Sequence, residues 1–115
     1  MVCFVFVKAH CRFYQILKQG RGVFLKEGKD AAIMGYGPIL LGEAYKATHE
    51  LEKKGISVSV INFPWLNGVD ESWTQNIAKK FKTIIMLDNH YVQYGQGMMM
   101  TSIMARLGYK GRMYT

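Results

Sequence analysis

Proline and cysteine are scarce in this sequence, and acidic residues are outnumbered. Two prolines in 115 residues, with no low-complexity tract and no internal repeat, leave no room for a linker-like or repetitive architecture. Cys3 and Cys11, with seven residues between them, are the only cysteines, and no second Cys or His pair stands at finger spacing. That excludes a disulfide framework and a zinc site, and it points to a reducing compartment, the cytoplasm. No apolar run is long enough to cross a membrane. The opening "MVCFVFV" is apolar for seven residues and has no preceding positive region, so it is neither a signal peptide nor a span. A short strand or a fragment end fits it better, and residues 1–19 read as an N-terminal arm or fragment end.

What is present is an ordinary globular composition. Half the residues are hydrophobic and one fifth are charged, enough for one core in one domain. The net charge of +7 comes from 15 basic against 8 acidic residues. Lys8, Arg12, Lys18, Arg21, Lys26 and Lys29 are opposed only by Glu27 up to that point, and Lys79, Lys80 and Lys82 form a second cluster. Such charge suits a nucleic-acid or anion surface. It suits equally a solvated face and a helix C-terminus, where lysines complement the macrodipole. No aromatic–basic stripe or recognition motif accompanies it, so a nucleic-acid partner is not expected.

The pattern of elements is clear from Gly22 onward. Val23 to Lys26 reads as a short strand, residues 27–30 as a turn in which Gly28 supplies positive φ, and Ala31 to Gly35 as a buried strand. A turn this short predicts that the first two strands pair as an antiparallel hairpin. "YGPILLGEAYKATHELEKKG" reads as a helix, with Pro38 in its first turn, a core stripe of Leu41, Ala44, Thr48 and Leu51, a Glu50–Lys54 pair, and Gly55 as its stop. "ISVSVIN" is a strand. "FPWLNGVD" is a loop, and Asp70 or Ser72 caps the helix that follows, whose buried stripe is Trp73, Ile77 and Phe81. Thr83 to Leu87 is a continuous apolar run, the mark of a central parallel strand. "QGMMMTSIMARLG" is a helix and "GRMYT" begins a last strand. The alternation predicts an α/β fold, a three-layer α/β/α sandwich around a mostly parallel, mixed sheet of about five strands with an N-terminal antiparallel hairpin.

Three places invite chemistry. Gly35-Tyr36-Gly37-Pro38 lies where a dinucleotide fingerprint would stand, but its third glycine position is Leu40, Asn62 replaces the expected acid, and Pro38 removes an N–H; a tight strand-to-helix turn explains it better. Asp88, His90 and Tyr91 follow the apolar strand at the edge where open α/β sheets bind ligands. With no second histidine, serine elbow or cysteine beside them, an orienting Asp88–His90 hydrogen-bond pair is the expectation, and His90 is the one catalytic candidate. His10 and His49 are isolated, with His49 facing solvent or a partner. Gly95 and Gly97 open the last helix, either to expose amides to an anion or to let backbone pack closely. Met98, Met99, Met100 and Met104 cannot all face one core, so some should meet a partner.

Taken in order, "VFLKEGKDAAIMGYG", "EAYKATHELEKKGISVSVIN" followed by Pro64 and Asp70, and "IIMLDNHYVQYGQG" resemble the C-terminal domain of transketolase-like, thiamine-diphosphate-dependent enzymes. These are the transketolases, the deoxyxylulose-phosphate synthases and the β subunits of 2-oxoacid dehydrogenases. The resemblance covers about residues 20–114. The sequence departs from it in three ways. Tyr94 stands where the family's Gly-Gly-x-Gly has its first glycine, a position where a bulky residue does not adopt positive φ freely. The Pro64-to-Asp70 segment is longer and carries Trp65, Leu66 and Asn67. The chain stops at Thr115, before the family's further helical segment, so residues 20–115 read as a domain shortened at its C-terminal end.

The resemblance implies a division of labour. In these enzymes thiamine diphosphate and magnesium are held by two other domains, one with a Gly-Asp-Gly…Asn motif and one with an activating glutamate. No Gly-Asp-Gly occurs here, so this chain alone is expected to bind neither cofactor nor metal. The complete enzyme would transfer a two-carbon or acyl unit, and this domain would buttress the dimer and border the substrate channel. Asp88, His90, Tyr91, Tyr94, Gly95 and Gly97 are the expected channel or interface residues. The expected partners are the other domains or a subunit of the enzyme, in a homo-oligomer. Two alternatives remain: the β subunit of a 2-oxoacid dehydrogenase or ferredoxin oxidoreductase, and a free-standing basic module that binds anions or nucleic acid.

Overall fold

The computed structural model describes residues 17–91 and 93–115. Expectations for Cys3, Lys8, His10, Cys11 and Arg12 lie outside the described residues. Among the described residues five strands and three helices follow one another as β1 (Val23–Lys26), β2 (Ala31–Gly35), α1 (Pro38–Lys53), β3 (Val58–Asn62), α2 (Glu71–Lys80), β4 (Thr83–Leu87), α3 (Gln96–Arg106) and β5 (Arg112–Tyr114). They form one mixed sheet in the order β1-β3-β2-β4-β5. Only the β1–β3 pair is antiparallel. The α/β sandwich expected from the sequence is the fold observed.

The N-terminal hairpin is not. β1 and β2 are not neighbours, because β3 lies between them. The short connection steps over the end of β3 and is fastened to it. Ser59 Oγ accepts a hydrogen bond from the Gly28 amide at 2.7 Å and donates one to the Gly28 carbonyl at 3.0 Å. The amides of Lys29 and Asp30 donate to the Ser57 carbonyl, and Asp30 Oδ2 accepts from the Ser57 amide at 2.7 Å. Gly28 is needed here for close approach and not for positive φ, since a β-carbon would collide with the Val58 and Ser59 backbone. A turn can fix how far the chain travels, but not which strand fills the gap.

Helix placement follows from direction. The chain moves from β2 to β3 one way across the sheet, and from β3 to β4 and β4 to β5 the other way. Right-handed crossovers then require opposite faces. Leu41 and Ala44 of α1 pack with Ile33, Val58 and Val60 on one face. Ile77 of α2 and Met100 and Met104 of α3 pack with Ala32, Met34, Ile61, Ile84 and Met86 on the other. All five residues of β3 are buried, as a strand covered on both faces requires.

Local signals mostly act as read. Pro38 starts α1 after Gly37, whose φ is 88°. Glu50 pairs with Lys53 at 3.1 Å and not with Lys54, which lies at the helix cap. Asp70 caps α2, its Oδ1 accepting from the Trp73 amide at 3.0 Å. Arg21 Nε donates to the other carboxylate oxygen at 2.7 Å. These hydrogen bonds, the Trp73 amide first, hold the Asp70 carboxyl below the usual aspartate range. Burial pushes the Tyr109 hydroxyl up; it donates to the Phe81 carbonyl at 2.8 Å.

Candidate functional site

Reversal of the chain's direction between β2 and β4 creates a topological switch point at their carboxyl ends, the place where open α/β sheets form a ligand crevice. A cleft of about 520 Å³ opens there. Tyr36 enters it from the end of β2, Leu66 from the loop after β3, and Asp88, His90 and Tyr91 from the end of β4. Gln93, Tyr94, Gly95 and Gln96 complete it at the start of α3. The structure therefore brings together five of the six residues expected from the sequence. Gly97 stands behind Asp88 and does not line the cleft.

The role of Asp88 differs from the expected pairing with His90. Its Oδ1 accepts from the Gln96 amide at 3.2 Å and its Oδ2 from the Gly97 amide at 2.8 Å. The carboxylate thus serves as an anion built into the N-terminus of α3, where the macrodipole favours negative charge. The two glycines make this possible. A β-carbon at Gly95 would lie 2.8 Å from the Tyr91 carbonyl oxygen, and one at Gly97 would lie 2.9 Å from Asp88 Oδ2. Close backbone approach, and not an external anion, accounts for both. His90 is exposed on the rim.

Tyr94 does adopt the glycine conformation. Its φ is 64°, the one positive value at a non-glycine among the described residues. The residue is 94% exposed, and its backbone amide donates to Met98 Sδ at 3.1 Å. Met100 and Met104 are core, Met99 packs partly against it, and Met98 is exposed, which divides the four methionines as their spacing on the helix demands.

Gln96 escaped the sequence reading. It is 2% exposed, and its Nε2 donates to the carbonyls of Phe63 at 2.6 Å and Trp65 at 2.9 Å. Its Oε1 is buried without a hydrogen-bond partner among the described residues, as is Asn62 Oδ1. Trp65, from the loop after β3, donates its indole N–H to the Arg21 carbonyl at 2.8 Å. Only the switch point, which needs the strand order, would have singled out Gln96 and Leu66; Tyr36 lies in the Gly35–Pro38 turn, where its sequence context assigns it no cleft role.

Elsewhere, Lys26 reaches Glu52 and Thr48, with the Lys26 hydrogen bond foremost in holding the Glu52 carboxyl low. Lys80 pairs with Glu27 at 3.0 Å and lies over the Phe24 ring. His49 sits half exposed against the edge of Tyr45, 5.1 Å between centroids. Among the described residues no three His, Cys, Asp or Glu side chains are grouped to hold a metal ion, and no helix is long and apolar enough to cross a membrane. Among the described residues no lysine or arginine lines the cleft, and the first α3 amides are taken by Asp88, so this lining does not fit a magnesium–diphosphate group.

Comparison with known proteins agrees with this architecture. The family described as transketolase, C-terminal domain, matches residues 20–114. The chain is 32% identical over 91 residues to a 1-deoxy-D-xylulose-5-phosphate synthase of Phocaeicola vulgatus, covering 79% of this chain and 14% of that protein. It is 33% identical over 98 residues to the enzyme of the same name from Porphyromonas gingivalis, covering 85% and 15%. Among solved structures, a split-gene transketolase in an inactive β4 tetramer superimposes with a TM-score of 0.78 at 27% identity, covering 88% of this chain and 33% of that one. The chain thus spans about one seventh of the length of these synthases. By this match in sequence and fold, it belongs to the transketolase C-terminal domain family.

Proposed function

We propose that residues 20–115 act as the C-terminal domain of a thiamine-diphosphate-dependent enzyme of transketolase type, cytoplasmic and homo-oligomeric, that transfers a two-carbon unit. The domain buttresses the subunit contact and borders the substrate channel; it holds neither thiamine diphosphate nor magnesium itself. One observation carries the reading of its role. Ile39, Leu66, Tyr91, Tyr94 and Met98 are exposed, and all follow the carboxyl ends of β2, β3 and β4. Apolar side chains gathered on one edge of a sheet mark a surface that meets another protein surface. The synthase names of the relatives favour two-carbon transfer over the β-subunit alternative.

Titration calorimetry of the chain with magnesium and thiamine diphosphate tests the division of labour. The expected result is no binding heat. Micromolar binding to this chain alone would overturn it.

A further inference from the structure

We propose that the amino edge of the sheet, at the corner where β4 and β5 begin, is a docking surface for an acidic polypeptide segment. This edge lies at the opposite end of the parallel strands from the apolar carboxyl edge, and its role does not depend on which reaction the whole protein performs.

The first observation is how charge is sorted. Lys29, Lys54, Lys79, Lys82, Lys110 and Arg112 are all exposed, and all lie in the segments that lead into or open β2, β3, β4 and β5. The macrodipole accounts for cations in a helix's last turn, Lys79 among them. Lys29, Lys82, Lys110 and Arg112 lie outside the helices. The second observation is that the acids of this edge are already engaged. Glu27 pairs with Lys80 at 3.0 Å, Glu50 with Lys53 at 3.1 Å, Glu52 with Lys26, and Asp30 Oδ2 accepts from the Ser57 amide. None of the six exposed cations makes an ion pair among the described residues. The third is crowding. The Arg112 amide donates to the Lys82 carbonyl at 2.8 Å, so these two cationic residues stand side by side at the starts of neighbouring strands. Like charges brought together across strands oppose folding. A partner that brings carboxylates offsets that repulsion.

A polypeptide fits this corner better than a nucleic acid. Nucleobases need rings to stack on, or an element that enters a groove. Among the described residues Ile56 is the one large apolar side chain exposed at this edge. The aromatic rings nearby are occupied: Tyr109 donates its hydroxyl to the Phe81 carbonyl, and Lys80 lies over Phe24. What remains is a set of compact ammonium charges, which pair with single carboxylates.

Labelled oligoglutamate, and a single-stranded oligonucleotide of equal charge, serve as probes in fluorescence-anisotropy titrations with the chain. At about 0.15 M salt, where exposed charges are screened beyond roughly 8 Å, oligoglutamate should bind saturably and more tightly than the oligonucleotide. The double variant Lys82→Glu, Lys110→Glu should weaken oligoglutamate roughly tenfold or more. The double variant Lys18→Glu, Lys46→Glu changes net charge equally but away from this corner, and should weaken it by less than about twofold. All four side chains are exposed, so both variants keep the fold. The proposal is overturned by an absence of saturable oligoglutamate binding, by tighter binding of the oligonucleotide, or by equal affinities of the two variants.

Discussion

Asp88 Oδ2 lies 2.8 Å from the amide nitrogen of Gly97, and a β-carbon on Gly97 would stand 2.9 Å from that same oxygen. The carboxylate and the missing side chain are one device. An alanine inside a helix normally stabilises by roughly 0.5–1 kcal/mol relative to glycine. Here the sign should reverse: Gly97→Ala is expected to cost about 1–3 kcal/mol, because the new methyl group meets Asp88 and Thr115. Asp88→Ala should cost about 1–2 kcal/mol by uncapping α3. In urea denaturation the double variant should lose less than the two single losses combined, since removing the carboxylate makes room for the methyl group. Simple additivity would show that the two residues are independent.

Tyr94 carries a backbone conformation that suits glycine and a ring that contributes no burial. The left-handed region costs a non-glycine residue roughly 1–2 kcal/mol, and glycine's greater freedom in the unfolded chain takes part of that back. Tyr94→Gly should therefore stabilise the chain by about 0.5–1 kcal/mol, read as a higher urea midpoint. A lower midpoint would mean that the ring is held by contacts that stabilise the fold.

Ser59 joins the β1–β2 connection to the strand lying between those two strands. Ser59→Ala leaves both the amide and the carbonyl of Gly28 without their buried partner. A loss of about 1–3 kcal/mol is expected, with the protection of residues 28–30 against hydrogen exchange reduced first. Unaltered exchange in that segment would place the fastening elsewhere, on Ser57 and Asp30.

Asp70 links the cap of α2 to Arg21. Its folded carboxyl titrates below the unfolded value, so its contribution to stability is complete above the unfolded value and is lost as pH falls through the folded one. Melting temperatures of the native chain and of Asp70→Asn should differ at neutral pH and converge below roughly pH 4. A gap that stays constant down to pH 2 would separate the stabilisation from the charge.

The elements were legible because their signals are local. Strand bounds at Val23–Lys26, Ala31–Gly35 and Thr83–Leu87, and the start of α1 at Pro38, follow from runs and caps that the neighbouring residues decide. The pairing of β1 with β3 was not legible, because it depends on Ser59 and Ser57, about 30 residues from Gly28 in the chain. The cleft was half legible. Asp88, His90 and Tyr91 stand out after an apolar strand, whereas Tyr36, Leu66 and Gln96 reach the cleft only through the strand order. Asp88 itself was misread as a partner for His90, since a helix amide eight residues away competes for the same oxygen and its placement is a tertiary fact.

In the function proposed above, this chain lends its apolar carboxyl edge to the rest of a transketolase-type enzyme. The most direct measurement adds the chain to the cofactor-binding domains of such an enzyme from which the C-terminal domain has been deleted, and follows assembly by light scattering and two-carbon transfer by product formation. The native chain should restore both, and a Leu66→Asp, Tyr91→Asp variant, folded by circular dichroism, should restore neither. Equal restoration by that variant, or no association by the native chain, would contradict it.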